Sequence, residues 1–298
     1  LVHYLTGLIQ QAEGKFEQSI LSFDAALAIK PKAPEPLNAQ AKSYLQLGDA
    51  DGALDKVDRM LKSAPGQASL LNLKGELLAQ KHKAVEAMKA FQKAQKSNPS
   101  WAVPYRNIAA LKLQQGDLKG AEHWYVEGIH QVENKAILAV ALASLLEEGG
   151  RIDEAVALYE EMLDKDGTQQ MVRNNLAMIL VNYRSHNNGS LQRAVSLVEH
   201  FKNSRNPLYL DTYGWVSLKA GKLDKAINFL ERAIDKVPGS AEVNYHLGHA
   251  YFMQHQYSRA ISHLEKAVDS KMNFLGRKDA EKILTQSRGQ IQAANENG

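Results

Sequence analysis

The chain has 298 residues, 44% of them hydrophobic, with 36 Lys and Arg against 33 Asp and Glu for a formal charge of +3. A balance this slight gives no electrostatic footprint for nucleic acid, and no apolar run reaches the roughly 18 residues that a membrane span needs. The lack of any cysteine excludes disulfides, thiolate metal sites and cysteine nucleophiles without fixing a compartment.

From its start the chain reads as pairs of amphipathic helices, here called A and B. The first pair, 1–33, sets Gly7 on helix A against Ser19 and Phe23 on helix B and closes at Pro31. It opens on Leu1, inside a helix A with no polar helix before it, so further repeats are expected upstream. Pairs 34–67, 68–101 and 102–135 keep the pattern, with Ala41, Gly75 and Ala109 on A and Ala53, Ala87 and Ala121 on B. Val57, Phe91 and Tyr125 follow four places on, where a large side chain fills the space beside the small one. LysAlaProGluPro at 32–36 is a rigid lead-in, and GlyAsp at 48–49 and 116–117 form the turns between helices. Pro65, Pro99 and later Pro238 stop helix B, because proline lacks an amide hydrogen and clashes with the preceding turn.

Charge alternates along the array. Pair 68–101 carries six lysines (Lys74, Lys81, Lys83, Lys89, Lys93, Lys96) against Glu76 and Glu86, and pair 136–169 carries eight acids against Arg151 and Lys165. Each run is either a solvated helix face or a surface that steers a partner or a second molecule. Pair 170–206 is irregular: Ala177 and Ala194 lie 17 positions apart, where Gly248 and Ala260 lie 12 apart. The surplus falls in ArgSerHisAsnAsnGlySer at 184–190, read as a longer inter-helix loop, either tolerated or part of a binding face. Pairs 207–240 and 241–274 are the most regular. In 275–298, residues 278–288 form one more helix with Ala280, Ile283 and Leu284 inward, and the last four residues are expected to fray.

The small residue of helix A therefore recurs at Gly7, Ala41, Gly75, Ala109, Ala143, Ala177, Gly214 and Gly248, and that of helix B at Ser19, Ala53, Ala87, Ala121, Ala155, Ala194, Ala226 and Ala260. This period of 34 and this pattern resemble the tetratricopeptide repeat family over nearly the whole chain. The resemblance implies an all-α, right-handed superhelical solenoid of eight units with a C-terminal solvating helix. It also implies a concave groove lined by helices A that holds a partner polypeptide, without enzymatic activity. Carried over residue by residue, the groove positions are Asn38, Lys42, Asn72, Arg106, Asn174, Asn182, Asp211, Trp215, Tyr245, His249, Phe252 and Met253. Asn38, Asn72 and Asn174 share one repeat position, with Asn107 and Asn175 one place on. Their amides either grip a peptide backbone, which needs both donor and acceptor, or are ordinary solvated groups. Trp215, Tyr245, Phe252 and Met253 either anchor a partner in the groove or pack between neighbouring helices A. Tyr213 and Tyr251 fall at core positions. The carboxylate clamp that some family members use is not reproduced by Asn38/Lys42, Asn72/Glu76 and Arg106/Ala110, and Glu76 would repel a carboxylate.

Chemistry is otherwise sparse. There is no phosphate-binding glycine loop, no HisGluXaaXaaHis and no GlyXaaSerXaaGly. His246, His249 and His255 are near one another in sequence but lack a carboxylate at an obvious third position, so neither metal nor cofactor is expected. The runs at 174–180, 210–216 and 243–251 resemble the ends of long bacterial tetratricopeptide proteins, including lipoproteins of exosortase/PEP-CTERM systems and periplasmic scaffolds of exopolysaccharide export. That resemblance implies a periplasmic or membrane-anchored envelope protein, with a cytoplasmic location as the alternative. Three rival readings stand beside the peptide scaffold: a self-assembling module, a polysaccharide-handling scaffold, and the regulatory region of a larger enzyme.

Overall fold

The computed structural model describes residues 1–31 and 33–296, and among these every regular element is helical. Lys32, the first residue of the expected lead-in, and Asn297 and Gly298 of the expected frayed tail lie outside the described residues. The A/B pairs are α1 (Val2–Ala12) with α2 (Phe16–Ile29), α3 (Pro34–Gln46) with α4 (Ala50–Ser63), α5 (Ala68–Gln80) with α6 (Ala84–Ser97), and α7 (Ala102–Gln114) with α8 (Leu118–Gln131). They continue as α9 (Ala136–Glu148) with α10 (Ile152–Lys165), α11 (Gln170–Tyr183) with α12 (Asn188–Val198), α13 (Pro207–Lys219) with α14 (Leu223–Ile234), and α15 (Ala241–Met253) with α16 (Tyr257–Val268). A 3-10 turn, Glu199–Phe201, extends α12, and α17 (Arg277–Glu296) follows the last pair. The chain divides into two compact units, Leu1–Leu145 and Leu146–Gly298.

In each unit the small residue of helix A sets how closely helix B approaches. A Cβ added at Gly75 would lie 2.4 Å from the Phe91 ring, and one at Gly7 would lie 2.5 Å from Phe23. In the second unit Gly214 faces Leu230 and Gly248 faces Leu264 in the same way. The large partner is fully buried in each case, and each such side chain contributes roughly 1.5–3 kcal/mol of transfer free energy. Tyr213 and Tyr251 are core residues, each 1% exposed, as their repeat position predicts.

Seven of the eight A-to-B turns place one residue in the left-handed region, the turn between α11 and α12 being the exception. Gly14, Gly48, Gly116, Gly150 and Gly221 supply it with φ of 71–75°, and His82 and His255 occupy the same turn with φ of 58° and 60°. Asp49 and Asp117 then cap α4 and α8 by accepting from the Gly52 and Gly120 amides at 2.8 Å.

Two sequence expectations change. The surplus of pair 170–206 is not a loop spanning 184–190: α11 runs one residue longer than α13, and α12 begins at Asn188. Asn187 accepts from the Ser190 amide at 3.0 Å, so Asn188–Ser190 form a capped first turn. At the other end Asn295 and Glu296 are helical, the last residues of α17, rather than frayed.

Candidate functional site

Helices A stack side by side within each unit, and their polar residues meet those of the next helix A. In the first unit Asn107 on α7 donates from Nδ2 to Asn72 Oδ1 on α5 at 3.0 Å and to Glu76 Oε1 at 3.0 Å. Asn72 in turn donates to Glu76 Oε1 at 2.9 Å. In the second unit His246 Nδ1 on α15 lies 2.8 Å from Asp211 Oδ1 on α13, both side chains almost fully buried. These two bridges join the same pair of repeat positions: the residue three before the small residue of one helix A, and the residue two before that of the next. Further along the second unit Trp215 Nε1 donates to Asn182 Oδ1 at 2.8 Å, and the Tyr245 hydroxyl donates to Asp279 Oδ2 at 2.8 Å.

This ladder decides which of the predicted groove residues remain available. Asn72, Asp211, Trp215 and Tyr245 are 3–4% exposed and spend their polar atoms on neighbouring helices. The picture of an indole standing on an open groove is corrected: Trp215 is stacked on the His246 ring at 4.0 Å, and the Lys219 ammonium lies 4.1 Å from its centroid. A ring covered on one side by an imidazole has no room there for a second occupant, so a cation over it takes the opposite face. Asn174 is also buried, and its Oδ1 finds no partner. The residue facing it on the next helix A is Thr212, whose hydroxyl donates to Leu208 O at 3.0 Å instead.

By contrast Asn38 and Lys42 on α3 are exposed, because the next helix A presents Leu73 and Leu77 to them. With Leu45, Glu76 and Gln80 these residues line a cleft of about 320 Å³. Arg106 and Asn182 are half-buried, and Met253 is 52% exposed. Phe252 packs on Tyr257 at 5.9 Å rather than joining Trp215 and Tyr245. The predicted groove aromatics are therefore two separate sets. His249 is mostly buried beside Trp215 and Tyr245, and its Nδ1 has no hydrogen-bond partner, with Asp279 Oδ2 at 3.6 Å. Burial first, then the Lys219 charge, push its pKa down to about 4 against the opposing pull of Asp279.

A pocket of about 250 Å³ opens over this second set. Its lining includes Asn182 and Tyr183 of α11, Lys219 of α13, Glu242 of α15, Gly276 and Asp279. Glu242 and Asp279 were not among the sequence candidates. The available signal was register, since Asp279 follows Tyr245 by 34 residues, so the repeat spacing continues into α17.

The charged runs also resolve. On α10, Glu160 pairs with Arg193, Glu154 with Arg151, Glu161 with Lys165 and Asp153 with Arg184. In the basic pair, Lys74 and Lys81 meet Asp58 and Asp51 at 2.6 Å, and Lys83, Lys89 and Lys93 line a cleft of about 590 Å³. Among the described residues no group of three potential metal ligands gathers, and no helix is long and apolar enough to cross a membrane.

Helix pairs of fixed period, joined through a polar ladder along one face, define a helical-repeat interaction scaffold. The chain belongs to the tetratricopeptide repeat family, whose models match residues 38–100, 107–169 and 217–274. It is 26% identical to cellulose synthase operon protein C of Escherichia coli over 80% of its own length, but spans only 24% of that protein. A tetratricopeptide repeat protein from Parabacteroides merdae shares the fold with a TM-score of 0.55 and 15% identity, over 86% of this chain and 98% of that one. A chain of the APC/C hetero-tetramer Cut9–Hcn1 is similar with a TM-score of 0.57 and 17% identity, over 91% of this chain and 52% of the other.

Proposed function

We propose that the chain is a non-enzymatic scaffold that holds a partner polypeptide along its helix-A groove. The observation that carries this is the exposed cleft at Asn38, Lys42 and Glu76, where amide, ammonium and carboxylate groups stand over Leu45, Leu73 and Leu77. A polypeptide lying there meets backbone-pairing groups and apolar floor together, on helices already fixed by the ladder, which lowers the ordering cost of binding. The likeness to cellulose synthase operon protein C supports service in a bacterial envelope or exopolysaccharide-related assembly.

Capture from lysate of the source organism tests the reading, with wild type beside Asn38→Ala/Lys42→Glu. Both positions are exposed, so the variant keeps its fold. A protein retained by wild type and lost from the variant is the expected outcome; equal capture places the partner elsewhere on the array.

A further inference from the structure

The pocket over Trp215 and Tyr245 holds one charge that the fold leaves unmatched. Lys219 lies over the indole face and feels Asp279; Asp279 accepts the Tyr245 hydroxyl. Glu242 is different: it is half-buried in the pocket wall and, among the described residues, its carboxylate makes no hydrogen bond or ion pair. The ionisable groups that act on it are His246 and Asp211, which are already engaged with each other. Two carboxylates and one already engaged ammonium thus line a single cavity. Neutral groups surround them: Asn182, whose amide nitrogen is left to donate; Ser185; and Tyr183, 37% exposed.

The pocket is also held open by rigid parts. Gly276, at φ 98°, passes so close to Tyr245 that a Cβ would sit 2.5 Å from the ring. The loop before it is tied by the Arg277 guanidinium, which donates to the carbonyls of Val268, Ser270 and Met272 at 2.6–2.7 Å. About 250 Å³ is room for one long side chain and not for a helix.

We propose that this pocket takes a basic side chain, lysine or arginine, of a partner polypeptide, with its cationic head on the Glu242 carboxylate and its stem against Tyr183. A carboxylate left half-desolvated without a counter-charge is costly, and an incoming cation removes that cost. Burial, the largest influence, holds the Glu242 carboxyl above its ordinary range; His246 opposes this and Asp211 adds to it. The inference rests on the reading of the chain as a polypeptide-binding scaffold and names one anchor of the partner.

The test uses the indole ¹H–¹⁵N resonances of the full chain. The three tryptophans, Trp101, Trp124 and Trp215, are assigned by Trp215→Phe, and only Trp215 borders the pocket. Nα-acetyl-arginine N-methylamide is titrated against Nα-acetyl-citrulline N-methylamide, its neutral isostere. The expected result is a saturable shift of the Trp215 resonance with the arginine probe alone, weakened at least about tenfold in Glu242→Gln. No saturable shift, an equal response to citrulline, or equal affinity in Glu242→Gln overturns the proposal. The citrulline comparison is made on wild type and does not depend on the variant's folding. Capture that depends on Asn38 and Lys42 would survive such a failure, so the two readings fail separately.

Discussion

Trp215 on α13 donates its indole N–H to Asn182 on α11 at 2.8 Å, and this bond turns a residue with the look of a binding anchor into part of the frame. Trp215→Ala removes a ring that is 3% exposed, together with the stack on His246. The expected loss is about 3–5 kcal/mol. Asn182→Ala, which leaves the indole N–H unpaired, costs about 1–3 kcal/mol. Urea unfolding followed by circular dichroism measures both. A Trp215→Ala variant as stable as wild type would contradict this placement.

The bridges Asn72–Asn107 and Asp211–His246 occupy equivalent repeat positions but differ in burial and charge. A double-mutant cycle on each pair is expected to give the larger coupling for Asp211–His246, about 1.5–3 kcal/mol against about 1 kcal/mol for the amides. Equal couplings would show that charge adds nothing to the ladder.

His82 adopts φ 58° in a turn where the equivalent residues are mostly glycine. A non-glycine residue in that region carries a cost of roughly 1 kcal/mol. His82→Gly is therefore expected to stabilise the first unit by somewhat less than that, after the added freedom of the unfolded chain is counted. Gly116→Ala, the reverse change at φ 74°, is expected to destabilise by a similar amount. Thermal unfolding midpoints that move opposite to these signs would refute the argument.

His249 is neutral when folded because burial pushes its pKa from 6.5 to about 4. Between those two values the unfolded chain binds the proton more readily, so stability rises with pH across this window. The contribution is complete above about pH 6.5 and is lost as pH falls toward 4, on the order of 3 kcal/mol in total. His263, lowered chiefly by burial, adds in the same direction. The acid slope of unfolding free energy should flatten in His249→Leu; an unchanged slope would assign the acid sensitivity to other groups.

Much of the architecture is visible in the residues themselves. The 34-residue period, the glycine facing a large side chain, the Gly-Asp turns and the prolines after helix B are local patterns, each read within one pair of helices. Backbone geometry and close approach enforce them wherever the pair sits. The positions of Tyr213 and Tyr251 followed from the same logic. Insertions are harder: the surplus of pair 170–206 looked like loop, yet Asn187 caps a helix there, because one side-chain oxygen is enough to satisfy the first free amides.

What the tertiary structure alone decided is which polar and aromatic groups of helix A remain free. Asn38, Asn72 and Asn174 are identical by type and repeat position, yet one is exposed, one is bridged to Asn107 and one is buried with an unpartnered oxygen. The difference lies in the residue that the next helix A brings opposite: Leu73, Asn107 or Thr212. A side chain's availability is a property of that pairing, since a buried polar group must find its partner across the interface. The same reason hid Glu242 and Asp279, two carboxylates from separate helices that become one pocket only when α15 and α17 pack together.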